Sequence, residues 1–262
     1  MDRQVAKLRR ALQMGRPSPG DDISTFVHEG IRALIFDVDG TLYRRHLLKW
    51  RLLARFAMAH LTAPLTSLRV LRALNSYRRA LEILRASQRS PCNIYDAQIG
   101  LACAATGFEV DFVRGCVDCW MHQHPLQVLN RCLDRHLVSL LKVSRERGLR
   151  LGAFSDYPAA EKLAALGLDS YFDAVVCAGD PQVQKLKPDP RGLEVTLEKL
   201  GISKDHAVYI GDRPEIDAAA AQQLGMRCFI LGANKSDCLR WGCTSFSRFR
   251  ELTLQLSPSR YA

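Results

Sequence analysis

Short, mostly apolar runs recur along the chain, separated by longer stretches in which apolar residues return every three or four positions. The runs at 33–36, 149–154, 174–177, 207–210 and 227–231 read as buried strands, and the helical rhythm fills 159–166, 191–200 and 215–224 between the later ones. Strands alternating with helices predict an α/β core built on a parallel sheet with both faces covered. The punctuation agrees: Gly167, Gly201 and Gly225 each follow a helical run, and Asp189-Pro190 reads as an N-cap followed by a first-turn proline.

Between the first and second runs the rhythm is helical throughout, over 47–61, 68–86, 97–106, 110–122 and 126–147, broken by Pro64, Ser90-Pro91 and Gly107. A crossover between parallel strands needs only about a dozen residues. Residues 44–148 are therefore expected to form an all-helical subdomain inserted in a core made of 31–43 and 149–262, with 1–30 as an N-terminal extension. The stretch beyond 234 shows little pattern apart from a last helix over 246–256.

Composition places the 262 residues among ordinary globular proteins, with 47% hydrophobic and 24% charged side chains. No apolar run approaches a membrane span, and the first thirty residues lack the apolar middle of a secretory signal. Nine cysteines, an odd number, fit reduced thiols better than a disulfide framework, so a cytoplasmic location is expected. The net charge of +10 is localised: residues 44–89 hold eleven Arg and Lys against the single Glu82, so this stretch alone accounts for the whole excess.

The chemistry-bearing residues stand where strands end. Asp37 and Asp39 follow the first run, and residues two apart in an extended chain face the same side. Two carboxylates sharing a site repel unless a cation or a proton separates them. Ser155-Asp156 follows the second run, Lys185-Leu186-Lys187-Pro188-Asp189-Pro190 the third, and Asp212 with Asp217 the fourth. Taken singly, Ser155 is an ordinary turn residue, the lysines a solvated loop, and Asp217 an acid complementing a helix N-terminus. Ligands in open parallel sheets collect at the carboxyl ends of the strands, which gives the ordered set more weight than its parts.

That ordered set resembles the haloacid dehalogenase superfamily of phosphohydrolases, across residues 30–43 and 149–232. The resemblance implies a Rossmann-like core whose helical insertion is a C1-type cap over the active site. It implies that Asp37 is the nucleophile and forms an aspartyl-phosphate, that Asp39 is general acid and then general base, and that Mg²⁺ is held by Asp37, the Asp39 main-chain carbonyl and Asp212. Asp217 would orient a metal-bound water or Lys187. Ser155, Lys187, Gly40 and Thr41 would hold the phosphoryl group, with Lys185 an alternative for the cationic role that the Lys-Pro-x-Pro register disfavours. The dehalogenases lack a carboxylate at the position of Asp39, so its presence favours phosphoryl transfer. Asp156, where many relatives carry Asn, reads as a cap of the following helix.

Arg44 and Arg45 follow the first motif directly and are candidates for contact with the substrate, against the alternative of solvated hinge arginines. The mixture of Leu47, Leu48, Trp50, Leu52, Leu53, Phe56 and Met58 with Arg51 and Arg55 suits an anionic membrane surface, with an ordinary solvated helix face as the competing reading and nucleic acid disfavoured. Cys116, Cys119, His122, His124, Cys132 and His136 crowd one stretch of the insertion, and a buried apolar helix explains them as well as a zinc site does. The expected function is Mg²⁺-dependent hydrolysis of an anionic phosphomonoester, with an apolar or lipid tail as an open option. The alternatives are a phosphomutase of the same fold and a non-catalytic protein that binds membranes or partners through the basic helices.

Overall fold

The computed structural model describes residues 30–61, 63–87 and 93–256. The expected N-terminal extension, apart from Gly30, the Ser90-Pro91 break, Arg89 and Cys92 lie outside the described residues, as does the end of the core beyond residue 256.

Six parallel strands form one sheet in the order β3-β2-β1-β4-β5-β6: β1 Ala33–Phe36, β2 Arg150–Ser155, β3 Ala174–Cys177, β4 Ala207–Gly211, β5 Arg227–Leu231 and β6 Thr244–Phe246. All four residues of β1 are fully buried, and their alternation divides the core. Leu34 and Phe36 point into one apolar layer, while Ala33 and Ile35 point into the other, beneath α8 (Arg191–Leu200). The chain builds outward from β1 to β2 and β3, then returns to the other side of β1 with β4. This reversal opens a crevice beyond the carboxyl ends of β1 and β4, the general ligand position of such sheets.

Helices α1 (Arg45–Ala59), α2 (Pro64–Ser87), α3 (Ile94–Thr106), α4 (Val110–Val117), α5 (His124–Leu129) and α6 (Arg135–Glu146) lie between β1 and β2. A separate small core of Val70, Leu74, Tyr77, Ile99, Val113 and Val117 holds α2, α3 and α4 together. The chain leaves and re-enters the sheet through paired segments: Tyr43 bridges Leu133, and the Arg44 N–H donates to the Cys132 carbonyl at 2.9 Å.

The expectation of one helix over 126–147 fails at this point. The chain extends at Leu133, and the Asp134 carboxylate caps a new helix by accepting the His136 N–H. Helix α6 then packs through Leu137, Leu140 and Leu141 onto the sheet layer, beside α11 (Phe249–Leu256). By packing, therefore, the last helix of the expected insertion sides with the sheet.

The remaining elements are α7 (Ala160–Leu166), α9 (Ala219–Leu224) and α10 (Lys235–Trp241). The last of these and β6 were not evident in the sequence. Gly167, Gly201 and Gly225 take the left-handed cap conformation expected of them. Helix α8 spans the expected 191–200, but Pro190 rather than Asp189 takes the cap position, and the Asp189 carboxylate accepts the Arg191 N–H at 2.9 Å. Among the described residues, no helix is long and apolar enough to cross a membrane.

Candidate active site

Asp37 is the first residue past β1, and its N–H donates to the Ile210 carbonyl on β4 at 2.8 Å, so the sheet ladder itself sets its position. Its buried carboxylate has a partner on each oxygen. Lys187 Nζ lies 2.6 Å from Oδ1, and the Thr41 hydroxyl donates to Oδ2 at 3.0 Å. The same Lys187 ammonium donates to Asp217 Oδ1 at 2.7 Å and to the Tyr209 hydroxyl at 3.1 Å, and Tyr209 in turn donates to Asp217 Oδ1 at 3.0 Å. The other oxygen of Asp217 accepts the N–H groups of Asp212 at 3.2 Å and Arg213 at 3.0 Å. Asp217 thus fixes both the lysine and the turn that carries Asp212.

The electrostatics are unbalanced. Three carboxylates, Asp37, Asp212 and Asp217, offer oxygens within 4.8 Å of one another, and among the described residues theirs is the only group of this kind. Lys187 is the one buried ammonium among them. Burial, with Asp217 adding to it and Lys187 opposing, pushes the Asp37 carboxyl up to about 6. Burial and the neighbouring Asp37 push Asp212 up to about 7. Burial alone would lower the Lys187 ammonium, but Asp217 and Asp37 outweigh it and hold it well above the usual lysine value. Asp212 Oδ1 is buried with no hydrogen-bond partner. An all-oxygen cluster with surplus negative charge and an unsatisfied oxygen fits a hard divalent cation such as Mg²⁺. Gly40 makes the arrangement possible: a Cβ there would lie 2.2 Å from Asp212 Oδ2, and its φ of +111° is one that glycine tolerates.

Asp39 stands apart from this group. Both of its oxygens lie 2.7 Å from Lys162 Nζ on α7, the Tyr43 hydroxyl donates to Oδ1, and the Ser155 hydroxyl donates to Oδ2 at 3.3 Å. Burial would raise the Asp39 carboxyl, but the Lys162 ammonium outweighs it, and the net position is below the usual carboxylate value.

Most of the residues singled out in the sequence therefore meet at one end of the sheet: Asp37, Asp39, Thr41, Ser155, Lys187, Asp212 and Asp217, with Gly40 beneath Asp212. Arg45 reaches them from the first turn of α1, its guanidinium 3.6 Å from Asp212 Oδ2. Arg44 does not; it pairs with Asp134 at 3.5 Å on the surface. Lys185 also turns away, toward Asp189 at 3.7 Å. Asp156 is not a helix cap. Its Oδ1 accepts the Lys187 N–H at 3.0 Å, and its Oδ2 pairs with Arg85 of α2 at 2.7 Å. The Cys and His residues between 116 and 136 do not converge into a metal-binding group.

Sequence reasoning missed Tyr43, Lys162, Tyr209 and Arg85. Tyr209 had a usable signal, since it lies in the strand that ends at Asp212 and two residues before the Gly211 turn. Lys162 and Arg85 had none, because helix packing brings them in from 123 and 71 residues away.

Glyceraldehyde 3-phosphate phosphatase from Methanopyrus kandleri is 29% identical over 199 residues, covering 75% of this chain and 82% of that relative. Phosphoglycolate phosphatase of Rhodospirillum rubrum is 37% identical over 98 residues, a local match to 36% of this chain and 39% of that relative. Among solved structures, 2-haloacid dehalogenase from Pseudomonas syringae superposes with a TM-score of 0.59 at 20% identity, covering 88% of this chain and all of that one. A beta-phosphoglucomutase from Clostridium difficile superposes at 0.55 and 16% identity, covering 85% and 93%. These two likenesses concern the fold. The family model for haloacid dehalogenase-like hydrolases matches residues 31–225, from the start of β1 past the last acidic residue of the site, and the chain belongs to that family.

Proposed function

We propose that the protein is a Mg²⁺-dependent phosphomonoester hydrolase that works through an aspartyl-phosphate. One observation carries this reading: Asp37 is held by Lys187 and Thr41 at the tip of β1, with a second carboxylate, Asp39, two residues on. An oxygen of Asp37 attacks phosphorus as the bond to the leaving oxygen breaks; Asp39, which Lys162 favours as a carboxylate in the free site, takes up a proton when the negatively charged phosphate joins it and passes that proton to the leaving alkoxide. Water then attacks the phospho-aspartate, giving its proton to Asp39, and the bond between phosphorus and Asp37 breaks to release phosphate. Lys187 and Ser155 hold the phosphoryl oxygens, helped by main-chain N–H groups at Gly40 and Thr41. Asp37, the Asp39 carbonyl and Asp212 would hold the metal, with Asp217 behind them; when bound it offsets the clustered negative charge of carboxylates and phosphate.

Helices between residues 44 and 133 form the cap in this reading, and the segments on either side form the core. The substrate class is an anionic phosphomonoester, with Arg45 at the mouth of the site. The named relatives act on small phosphorylated carbon compounds, which supports a small polar head; an apolar or lipid tail is a finer option, supported by the surface of α1 described below. Hydrolysis is preferred to the mutase alternative because the relatives matched by sequence are named phosphatases. The free cysteines among the described residues support a cytoplasmic location. Phosphate release from a panel of sugar, nucleotide, amino-acid and lipid phosphates, with and without Mg²⁺, tests the reading. Metal-dependent release is expected from the wild type and none from Asp37→Asn; equal release by both would overturn it.

A further inference from the structure

Helix α1 is amphipathic in the wrong sense for a helix that meets only water. It touches the body through Leu48, Leu52 and Phe56. At about 100° per residue, Trp50, Leu53, Ala54, Ala57 and Met58 fall within an arc of about 140° on the other side, and Leu61 continues it past the helix end. From Trp50 onward that outward arc is apolar, with the exposed His46 in the first turn as its polar exception: Trp50 is 67% exposed, Met58 81% and Leu61 83%. The chain turns sharply after α1, with Ser67 tied back to the carbonyls of His60 and Ala63, and α2 begins with Leu65, itself 78% exposed. Single exposed apolar residues are normal, but a continuous stripe along one helix and around the following corner marks a contact surface.

Its charge surroundings say what it contacts. Lys49 borders the apolar arc on one edge; on the other, Arg51 is half-buried and turned toward the Cys132 thiol; the outer stripe of α2 carries Arg72 and Arg79 beside Leu65 and Leu68. Residues 44–89 hold the chain's excess positive charge, of which Arg44, Arg45 and Arg85 are paired elsewhere, with Asp134, Asp212 and Asp156. A tryptophan and aliphatic side chains flanked by long cationic stems suit the boundary between anionic headgroups and acyl chains. A protein partner would not need the positive charge to be gathered on this face. We infer that the exposed face of α1 and the corner leading into α2 form a docking surface for an anionic membrane. The stripe runs along the helix, so α1 lies in the plane of the interface. Its first turn, at Arg45, stays beside the site. This inference stands independently of the phosphatase reading.

Sedimentation of the full chain with vesicles tests it, using phosphatidylcholine alone and phosphatidylcholine with a quarter phosphatidylglycerol, at low and high salt. Binding is expected only to the anionic vesicles and is weakened by salt. The triple variant Trp50→Ser/Met58→Ser/Leu61→Ser should lower partitioning by about tenfold or more, because it removes three inserted side chains. Lys49→Glu/Arg72→Glu should lower it by at least about fivefold per charge. Circular dichroism and a thermal melt confirm that each variant is folded. Absence of binding to anionic vesicles at low salt overturns the inference, as does unchanged binding by the triple variant. A wild-type dimer in sedimentation velocity that the triple variant abolishes, without vesicle binding, would assign the face to a second copy of the chain instead.

Discussion

The Arg85 guanidinium, on the second helix of the insertion, donates from Nε to the main-chain carbonyl of Lys187 at 2.7 Å. Its Nη2 pairs at 2.7 Å with Asp156, which accepts the Lys187 N–H through its other oxygen. Both main-chain polar groups of the lysine that orients Asp37 are thus tied to one buried ion pair, and half of that pair comes from α2. The insertion and the loop that carries Lys187 are registered to each other through these two residues.

Arg85→Ala should therefore act at a distance. It releases the Lys187 loop, and displacements of about 1 Å near reacting atoms cost on the order of 100-fold in rate. We expect kcat to fall 10- to 100-fold by that ~1 Å estimate, with a smaller change in KM. Leaving Asp156 without its partner should also destabilise the fold by about 3 kcal/mol. Arg85→Lys, which keeps the charge but not the two-point contact, should recover stability more than kcat. Steady-state kinetics and thermal melts of both variants check this; unchanged kcat in Arg85→Ala would refute the coupling.

Lys162 grips both oxygens of Asp39, the proposed proton donor to the leaving group. Lys162→Met should misplace that carboxyl. General acid catalysis is worth about 100-fold or more when the leaving oxygen is a poor one. Hydrolysis of alkyl phosphates should fall by about that factor, while p-nitrophenyl phosphate, whose leaving group needs no proton, should change little. Equal losses on both substrates would mean that Lys162 serves some purpose other than placing Asp39.

The acidic cluster sets a pH dependence with a definite sign. Asp37 and Asp212 have folded values of about 6 and about 7 against 3.8 for the ordinary carboxyl. A raised carboxyl favours the folded state while protonated, and that contribution disappears as pH rises through the folded value. The metal-free protein should therefore lose stability from about pH 4 to about pH 7 through these two groups. Asp212→Asn should flatten the loss, and Mg²⁺ should raise the melting temperature more at pH 8 than at pH 5. Melting temperatures across that range, with and without the metal, provide the check. A metal effect of equal size at both pH values would count against the cluster as its site.

How much of this could be read in the sequence follows from where each residue gets its position. Asp37, Ser155 and Asp212 lie at or just past the ends of buried strands, and strand position is written in short apolar runs. Thr41 is placed by the turn after β1, Asp217 by the helical segment Pro214–Ala218 after β4, and Lys187 by a loop about ten residues past the end of β3. Lys162 and Arg85 sit on helices whose sequence marks an apolar face but not what the polar residues meet, so their partners were illegible. The strand Thr244–Phe246 is too short for any periodicity to show. The break between α5 and α6 did leave a signal, since Asp134 is a good N-cap residue, but a continuous apolar rhythm on both sides masked it.

The central claim is that Asp37 carries the phosphoryl group, and rapid acid quench with a ³²P-labelled phosphomonoester from the panel tests it most directly. The wild-type chain should carry a label that hydroxylamine releases, as expected for an acyl phosphate, that maps to Asp37 and that is absent from Asp37→Asn. A label mapping to another residue, or turnover by Asp37→Asn at the wild-type rate, would contradict it.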